Sequence, residues 1–235
     1  MSASDLLFPA PEWPTLAVGG GGRVPLGRIF CVGRNYEAHA AEMGTAVDRE
    51  APFWFTKSPH ALAASGLTLP YPPGTRNYHH EIELVVVLGG GGAGVAAADA
   101  EALVFGYAAG LDMTRRDLQQ DARAKGRPWD SGKDVERSAV IGPVAPVSRI
   151  FHPRRGRIEL RVNGEVRQQA DIAELVWKVP ELIAALSGLY TLRAGDVIMT
   201  GTPAGVGPVQ PGDRLEGEIE GVGPVSLVIG PPAGR

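Results

Sequence analysis

The chain of 235 residues contains one cysteine, Cys31. A single thiol can build neither an internal disulfide framework nor a zinc or iron–sulfur site held by several thiolates. We read Cys31 as a small, buried apolar side chain. Aromatic residues are sparse, at 6%. No apolar run approaches the ~18–20 residues of a membrane helix. Residues 1–14 lack the basic start and apolar centre of a secretory signal. No block of Lys or Arg occurs; 23 basic and 26 acidic side chains are well mixed and leave a formal charge of −3. That distribution argues against a nucleic-acid partner or an anionic membrane surface. The expectation is a soluble, cytoplasmic protein.

What the chain has in excess is glycine and proline, 32 and 20 residues. Without a collagen-like period, this composition marks many turns and excludes a helical bundle. Area scaling lets a chain of this size bury roughly 70% of its surface, enough for a self-sufficient core. Residues 1–27, with Gly19 to Gly22, read as a lead-in carrying one short strand, and 28–235 as the main domain. Strands are predicted over 28–33, 52–57, 67–70, 81–88, 104–111, 196–200, 214–219 and 225–229. A hairpin is predicted from 158–162 and 165–168 around Asn163-Gly164, a type I′ turn pair. Short helices are predicted over 36–43 behind an Asn35 cap, over 96–103 and 114–125, and over 172–186 with a break near Pro180. The fold class is mainly β (α+β) with a few short helices.

Two glycine patterns imitate phosphate-binding loops. Gly89, Gly91 and Gly94 match G-x-G-x-x-G after a strand, with Asp112 about 20 residues on. The segment is nearly all glycine, however, and the following helix is too short for a crossover. A nicotinamide-dependent oxidoreductase is therefore disfavoured. The Gly126 to Lys133 stretch has the wrong spacing for a P-loop, and Asp134 stands where Ser or Thr is needed.

Alternation along the strand from Glu81 puts Ile82, Leu84 and Val86 on one face. Glu81, Glu83, Val85 and Val87 share the other. Two carboxylates at the mouth of an apolar face repel each other, and burying them unpaired costs several kcal/mol. A hard divalent cation reverses that cost, because Mg²⁺ and Mn²⁺ take carboxylate oxygens. Asp112, ending the next apolar run, is positioned to supply a third carboxylate if the two strands are neighbours. His79 and His80 are read as solvated turn residues rather than further ligands. His39 and Glu42, at i and i+3 of a helix, can form a general acid–base dyad. Arg116, Gln119 and Lys133, taken singly, are indistinguishable from surface residues.

In sequence order, the segments CVGRNYEAHAAEMG, FTKSPHAL, NYHHEIELVVVLG, GYAAGLDMTRRDLQ, GRPWDSGK, RVNGEVRQ and DVIMTGTPAGVGPVQPGD resemble the fumarylacetoacetate hydrolase family over about 29–229. The likeness is greatest to its acylpyruvate hydrolases. The resemblance implies a mixed β-sandwich roll, a homodimer, and a Mg²⁺ or Mn²⁺ site held by Glu81, Glu83 and Asp112. It implies that 28–235 is the catalytic domain. His39 and Glu42 would activate water, on a stretch over 36–49 that closes over substrate in relatives. Lys133 would stabilise an oxyanion, and Arg116, Gln119 and Thr202 would contact a 2-oxo acid. The implied reaction is hydrolytic C–C cleavage of a 2,4-dioxo acid. Oxaloacetate decarboxylation and a decarboxylase or isomerase of homoprotocatechuate breakdown are the alternatives. Asp134-Val135 departs from the small residue and Phe that follow the lysine in relatives, so loop packing there is expected to differ. Arg34, Arg76 and Arg127 are candidates for a second substrate carboxylate, with nothing in the sequence to choose among them.

Overall fold

The apolar run after Glu81 forms the spine of the molecule. The computed structural model describes residues 7–44 and 49–233. In chain order the strands of its two large sheets are β1 (Ile29–Gly33), β2 (Phe53–Lys57), β3 (Leu62–Ala64), β4 (Leu67–Pro70), β5 (Ile82–Leu88) and β6 (Val104–Asp112). They continue with β7 (Ala139–Ile141), β8 (Arg157–Val162), β9 (Glu165–Asp171), β10 (Val197–Met199), β11 (Arg214–Ile219) and β12 (Gly223–Gly230). The helices that matter here are α1 (Glu37–Glu42), α2 (Arg116–Ala124), α3 (Asp130–Lys133) and α4 (Val179–Leu189).

The first sheet has eight strands and runs β2-β1-β10-β5-β6-β7-β3, with Ala145–Pro146 also paired to β6. Its end strands, β2 and β3, are joined by one short 3₁₀ turn, Pro59–Ala61. The sheet therefore curls until its two edges come together. The second sheet, β9-β8-β11-β12-β4, covers one outer face. Both sheets are mixed: β1 with β10, β3 with β7, and β4 with β12 are parallel pairs. This is the mainly β, sheet-on-sheet architecture expected from the sequence.

Strand alternation splits the core in two. Ile82, Leu84 and Val86 pack outward among Ile158, Leu160 and Leu227 of the covering sheet. Val85 and Val87 face into the curl with Cys31, Ala108, Ala139 and Met199. Each fully buried branched side chain contributes about 1.5–3 kcal/mol, so β5, buried on both faces, anchors the fold. Cys31 lies in the inner core as expected, and burial pushes its thiol pKa up.

Several local expectations change. Asn35 does not cap α1; Tyr36 does, and the buried Asn35 amide instead bonds the Thr200 and Trp177 carbonyls and accepts from Trp177 N–H. Tertiary bonding of a buried amide outcompeted capping. Over 96–103 only a 3₁₀ turn, Ala100–Leu103, forms. Thr114–Arg115 is extended, pairing with Tyr78–His80, so helix α2 begins at Arg116. Residues 172–186 hold a 3₁₀ turn, Ile172–Glu174, and then α4, where Pro180 occupies the first turn and so opens the helix instead of breaking it. The predicted hairpin is present, with Asn163 and Gly164 both at positive φ as type I′ requires. The lead-in, described from residue 7, holds two short paired strands, Thr15–Ala17 and Arg23–Pro25.

The glycine run after β5 leads into β6, which pairs antiparallel with β5, so no βαβ crossover exists here. Gly91 packs so closely on the Leu192 carbonyl that a Cβ would lie 2.1 Å from its oxygen. Close backbone packing, not phosphate binding, accounts for this glycine. Among the described residues no helix is long and apolar enough to cross a membrane.

Candidate active site

The register of β5 against β6 gathers the carboxylates. Ile82 pairs with Leu111 and Glu83 with Gly110. Glu81 therefore falls opposite Asp112, whose N–H donates to the Glu81 carbonyl at 2.8 Å. Directly opposed side chains have Cβ atoms about 4.5–5.5 Å apart, and diagonal ones remain within reach. Gly110, opposite Glu83, adds no side chain to the space. One oxygen from each of Glu81, Glu83 and Asp112 lies within 4.8 Å of the others, and all three residues are buried.

Cations surround two of the three. Lys133 Nζ donates to Glu81 at 2.8 Å and to Asp112 Oδ2 at 2.7 Å. Arg116 pairs with Glu81. Lys57 Nζ pairs with Asp112 Oδ1 at 2.8 Å and donates to Ser138 Oγ at 2.7 Å. Glu83 has no ion-pair partner among the described residues; it accepts a 2.8 Å bond from Gly201 N–H. Gly201 takes φ +96°, and a Cβ there would lie 2.8 Å from Asn35 Cβ, so the turn that presents this N–H needs glycine.

The pKa directions follow. Burial opposes ionisation of Glu81, but Lys133 and Arg116 outweigh it and hold the carboxyl well below the usual range. Burial pushes the Glu83 carboxyl up, and the Asp112 and Glu81 charges push it further. Burial would lower Lys133; the Asp112 and Glu81 charges outweigh it and raise it. A buried carboxyl crowded by two others and paired with no cation is a place where added positive charge is favourable. Three convergent oxygen donors without a thiolate fit a hard divalent cation such as Mg²⁺ or Mn²⁺.

The two histidines before Glu81 are not the solvated turn residues expected. His80 is buried and bonds Gln168 Oε1 through Nδ1 at 2.9 Å. His79 bonds Asn77 Oδ1 at 2.9 Å and lies beside Arg116. They belong to strand Tyr78–His80, held between Thr114–Arg115 and Gly207–Pro208, which takes them out of solvent. Burial lowers the pKa of both, with that of His79 falling to about 4.

Helix α1 supplies the dyad. Its i, i+3 spacing sets His39 Nδ1 3.3 Å from Glu42 Oε2. The Glu42 carboxylate also accepts from Gly205 N–H at 3.2 Å, tying the helix to the loop after β10. His39 is buried, and burial lowers its pKa against the opposing pull of Glu81 and Glu42. The imidazole is thus neutral at pH 7 and available as a base. Residues 45–48 of the stretch expected to close over substrate lie outside the described residues.

One cavity of about 540 Å³, including its opening to solvent, is lined by His39, Glu81, Glu83, Arg116, Gln119, Lys133 and Thr202. Glu42 stands behind His39, and Asp112 lies beneath, under the two lysines. Arg116 donates to Gln119 Oε1, which leaves the Gln119 NH₂ to donate into the cavity. Gln168 Nε2 donates to Thr202 Oγ1 at 2.8 Å, leaving the Thr202 hydroxyl proton for a ligand. Of the three arginines considered for a second carboxylate, Arg34 lines the cavity and Arg76 and Arg127 do not. Asp134, at the unusual position after Lys133, accepts from Ser58 N–H at 2.7 Å, and Val135 is buried.

Sequence reasoning missed Lys57, Gln168 and Arg123. A signal existed for Lys57: alternation in FWFTK places it on the same face as Phe55, toward the inner core. Arg123 is seven residues after Arg116, on the same helix face. Nothing in the sequence singled out Gln168, fully buried with both amide ends in use: Oε1 accepts from Ile82 N–H, and Nε2 donates to Pro203 O and Thr202.

Residues 28–229 match the family described as "Fumarylacetoacetate (FAA) hydrolase C-terminal". A fumarylpyruvate hydrolase of Ralstonia sp is 50% identical over 191 residues, 80% of this chain and 99% of that protein. A mitochondrial oxaloacetate tautomerase of Homo sapiens is 41% identical over 204 residues, 87% of this chain and 92% of the relative. Among solved structures, the fumarylpyruvate hydrolase of Pseudomonas aeruginosa in complex with Mn²⁺ and pyruvate superposes with a TM-score of 0.93. It is 49% identical, covering 97% of this chain and all of the other.

Proposed function

Since the chain belongs to the fumarylacetoacetate hydrolase family, we propose that it is a divalent-metal-dependent hydrolase of 2,4-dioxo acids that cleaves fumarylpyruvate to fumarate and pyruvate. The observation that carries this reading is the joining, at one cavity, of three crowded, buried carboxylates with a neutral histidine held by Glu42. Glu81, Glu83 and Asp112 would hold Mg²⁺ or Mn²⁺. Once bound, the ion supplies Lewis acidity to the 2-oxo acid end of the substrate.

The chain's own groups account for the rest. Neutral His39 takes a proton from water, and Glu42 holds the ring and stabilises the imidazolium that forms. The water oxygen adds to the distal acyl carbonyl carbon. Lys133 has three ammonium hydrogens and spends two on Glu81 and Asp112, so the third is available for the developing oxyanion, together with the Thr202 hydroxyl. Arg116 and Gln119 orient the substrate carboxylate. When the C–C bond breaks, its electron pair leaves with the pyruvate fragment as an enolate, which regains the proton from His39. Fumarate departs with the water oxygen.

Residues 28–235 form the catalytic unit, preceded by the 1–27 lead-in; the family match beginning at residue 28 supports that division. The protein works in the cytoplasm as a homodimer. An apolar groove lined by Leu69, Pro70, Pro72, Tyr78, Leu227 and Ile229 supports self-association, and light scattering should return twice 24.7 kDa. A second reading, chemistry on oxaloacetate, is favoured by the tautomerase relatives; no water attacks in it, and the same residues only move a proton or release CO₂.

The deciding experiment follows loss of ultraviolet absorbance of fumarylpyruvate with Mn²⁺ or Mg²⁺, with and without EDTA, beside oxaloacetate. Metal-dependent cleavage of fumarylpyruvate to fumarate and pyruvate is expected. Turnover indifferent to EDTA, or activity on oxaloacetate alone, would overturn the proposal.

A further inference from the structure

Helix α2 acts as a ruler along the cavity. Arg116, Gln119, Gln120 and Arg123 are spaced i, i+3, i+4 and i+7, one face of the helix, and all four line the cavity. Arg116 marks its inner end, beside Glu81. Arg123 lies about 10 Å further along the helix axis, at a rise of 1.5 Å per residue. Arg34 comes from the other wall, its guanidinium carbon 5.8 Å from the centre of the Phe53 ring. Neither Arg34 nor Arg123 has a carboxylate partner among the described residues. Between the two ends runs an apolar wall of Phe55 and Trp129, whose rings are 6.0 Å apart.

We infer that Arg34 and Arg123 form a clamp for the distal carboxylate of a dicarboxylic acylpyruvate, and so select the acyl group. The inference rests on the acylpyruvate reading above and names the substrate class within it. Fumarylpyruvate has six carbon–carbon bonds between its terminal carboxyl carbons. At roughly 3.5 Å per three extended bonds, that is about 7 Å. With one carboxylate at Arg116 and Gln119, the other arrives within reach of both long side chains. The flat conjugated tail lies along the Phe55 and Trp129 rings. Oxaloacetate, with three such bonds, ends about 3.5 Å from its first carboxyl carbon and reaches neither arginine.

The clamp has a physical cost when empty. Burial and the neighbouring Arg123 charge hold Arg34 below the usual guanidinium range. Arg34 also takes φ +60°, a backbone region that non-glycine residues seldom adopt without a local reason. A carboxylate received in a fork of two guanidiniums relieves the like-charge contact.

The test compares kcat/KM for fumarylpyruvate and acetylpyruvate in the Mn²⁺-loaded wild type, Arg34→Gln and Arg123→Gln. The clamp predicts that each variant shifts the fumaryl-to-acetyl preference at least tenfold toward acetylpyruvate, mainly through KM. An unchanged preference in either variant overturns the two-arginine clamp, whether or not overall activity falls. A wild type that turns over neither substrate overturns the hydrolase reading instead, and the clamp with it, so the two failures are read from different proteins.

Discussion

Replacing Glu83 by glutamine should make the metal-free protein more stable while abolishing its response to divalent cations. In the fold, the Glu83 carboxyl keeps its proton well above the value of 4.5 it has in an unfolded chain, because of burial and the Asp112 and Glu81 charges. Between those two values the unfolded state binds fewer protons than the folded one. The Glu83 contribution therefore falls as pH rises above 4.5, at up to about 1.4 kcal/mol per pH unit. Glutamine keeps an oxygen for the Gly201 N–H and carries no charge. The stability gap between variant and wild type should widen by that slope, or ~3–6 °C in melting temperature per pH unit for a chain of this size. Thermal melts in EDTA from pH 5 to 7 read it directly. With Mn²⁺ at a hundredfold excess over its dissociation constant, the wild type should gain about 2.7 kcal/mol, or ~5–11 °C. Glu83→Gln should gain little. A variant that is destabilised in EDTA, with no pH-dependent gap, would refute the crowding argument. An equal Mn²⁺ shift in both proteins would remove Glu83 from the metal site.

Two further outcomes are expected. His39→Ala should lower kcat by about 10²–10⁴ with KM little changed. Because burial lowers the His39 pKa in the free protein, the acidic limb of the wild-type kcat/KM profile should lie below pH 6.5; a limb above that value, or an unchanged kcat in the variant, would count against its role as base. Lys57→Met strips Asp112 Oδ1 of its buried cation and should cost about 3–5 kcal/mol in EDTA. Mn²⁺ should restore more stability to this variant than to wild type, and an unaltered melting temperature would show that Lys57 does not compensate Asp112.

The parts of this protein that could be read from its residues are those governed by strand alternation. Glu81 and Glu83 interrupt an apolar face at its mouth, and the period of two alone made them anomalous. Asp112 needed one further assumption, that consecutive strands pair, and β5 and β6 do. Helix ends were less legible, because they were settled by tertiary partners. Asn35 spends its amide on Trp177 and Thr200 rather than on α1, and Thr114 is drawn into pairing with Tyr78–His80. The histidines flanking Glu81 were misjudged for the same reason: the Gly207–Pro208 strand that covers them is more than 120 residues away. Gln168 stayed hidden because a buried amide that links β9 to Ile82, His80 and the Thr202–Pro203 loop leaves no periodic trace.

The cluster of buried charges has an implication for what the cavity will accept. Lys57, Lys133 and Arg116 contribute three positive charges, while Glu81 and Asp112 contribute two negative ones as long as Glu83 retains its proton. Uptake of a divalent ion must expel that proton, so affinity for the ion should climb with alkalinity by as much as tenfold per pH unit. With the ion in place, these six side chains and the ion carry an excess of two positive charges in a medium that screens poorly. A neutral guest cannot balance it and a monoanion does so only in part. Fumarylpyruvate would bring one carboxylate to this end and carry its other to Arg34 and Arg123, so the remaining surplus is matched only when the enolate charge develops as the bond breaks.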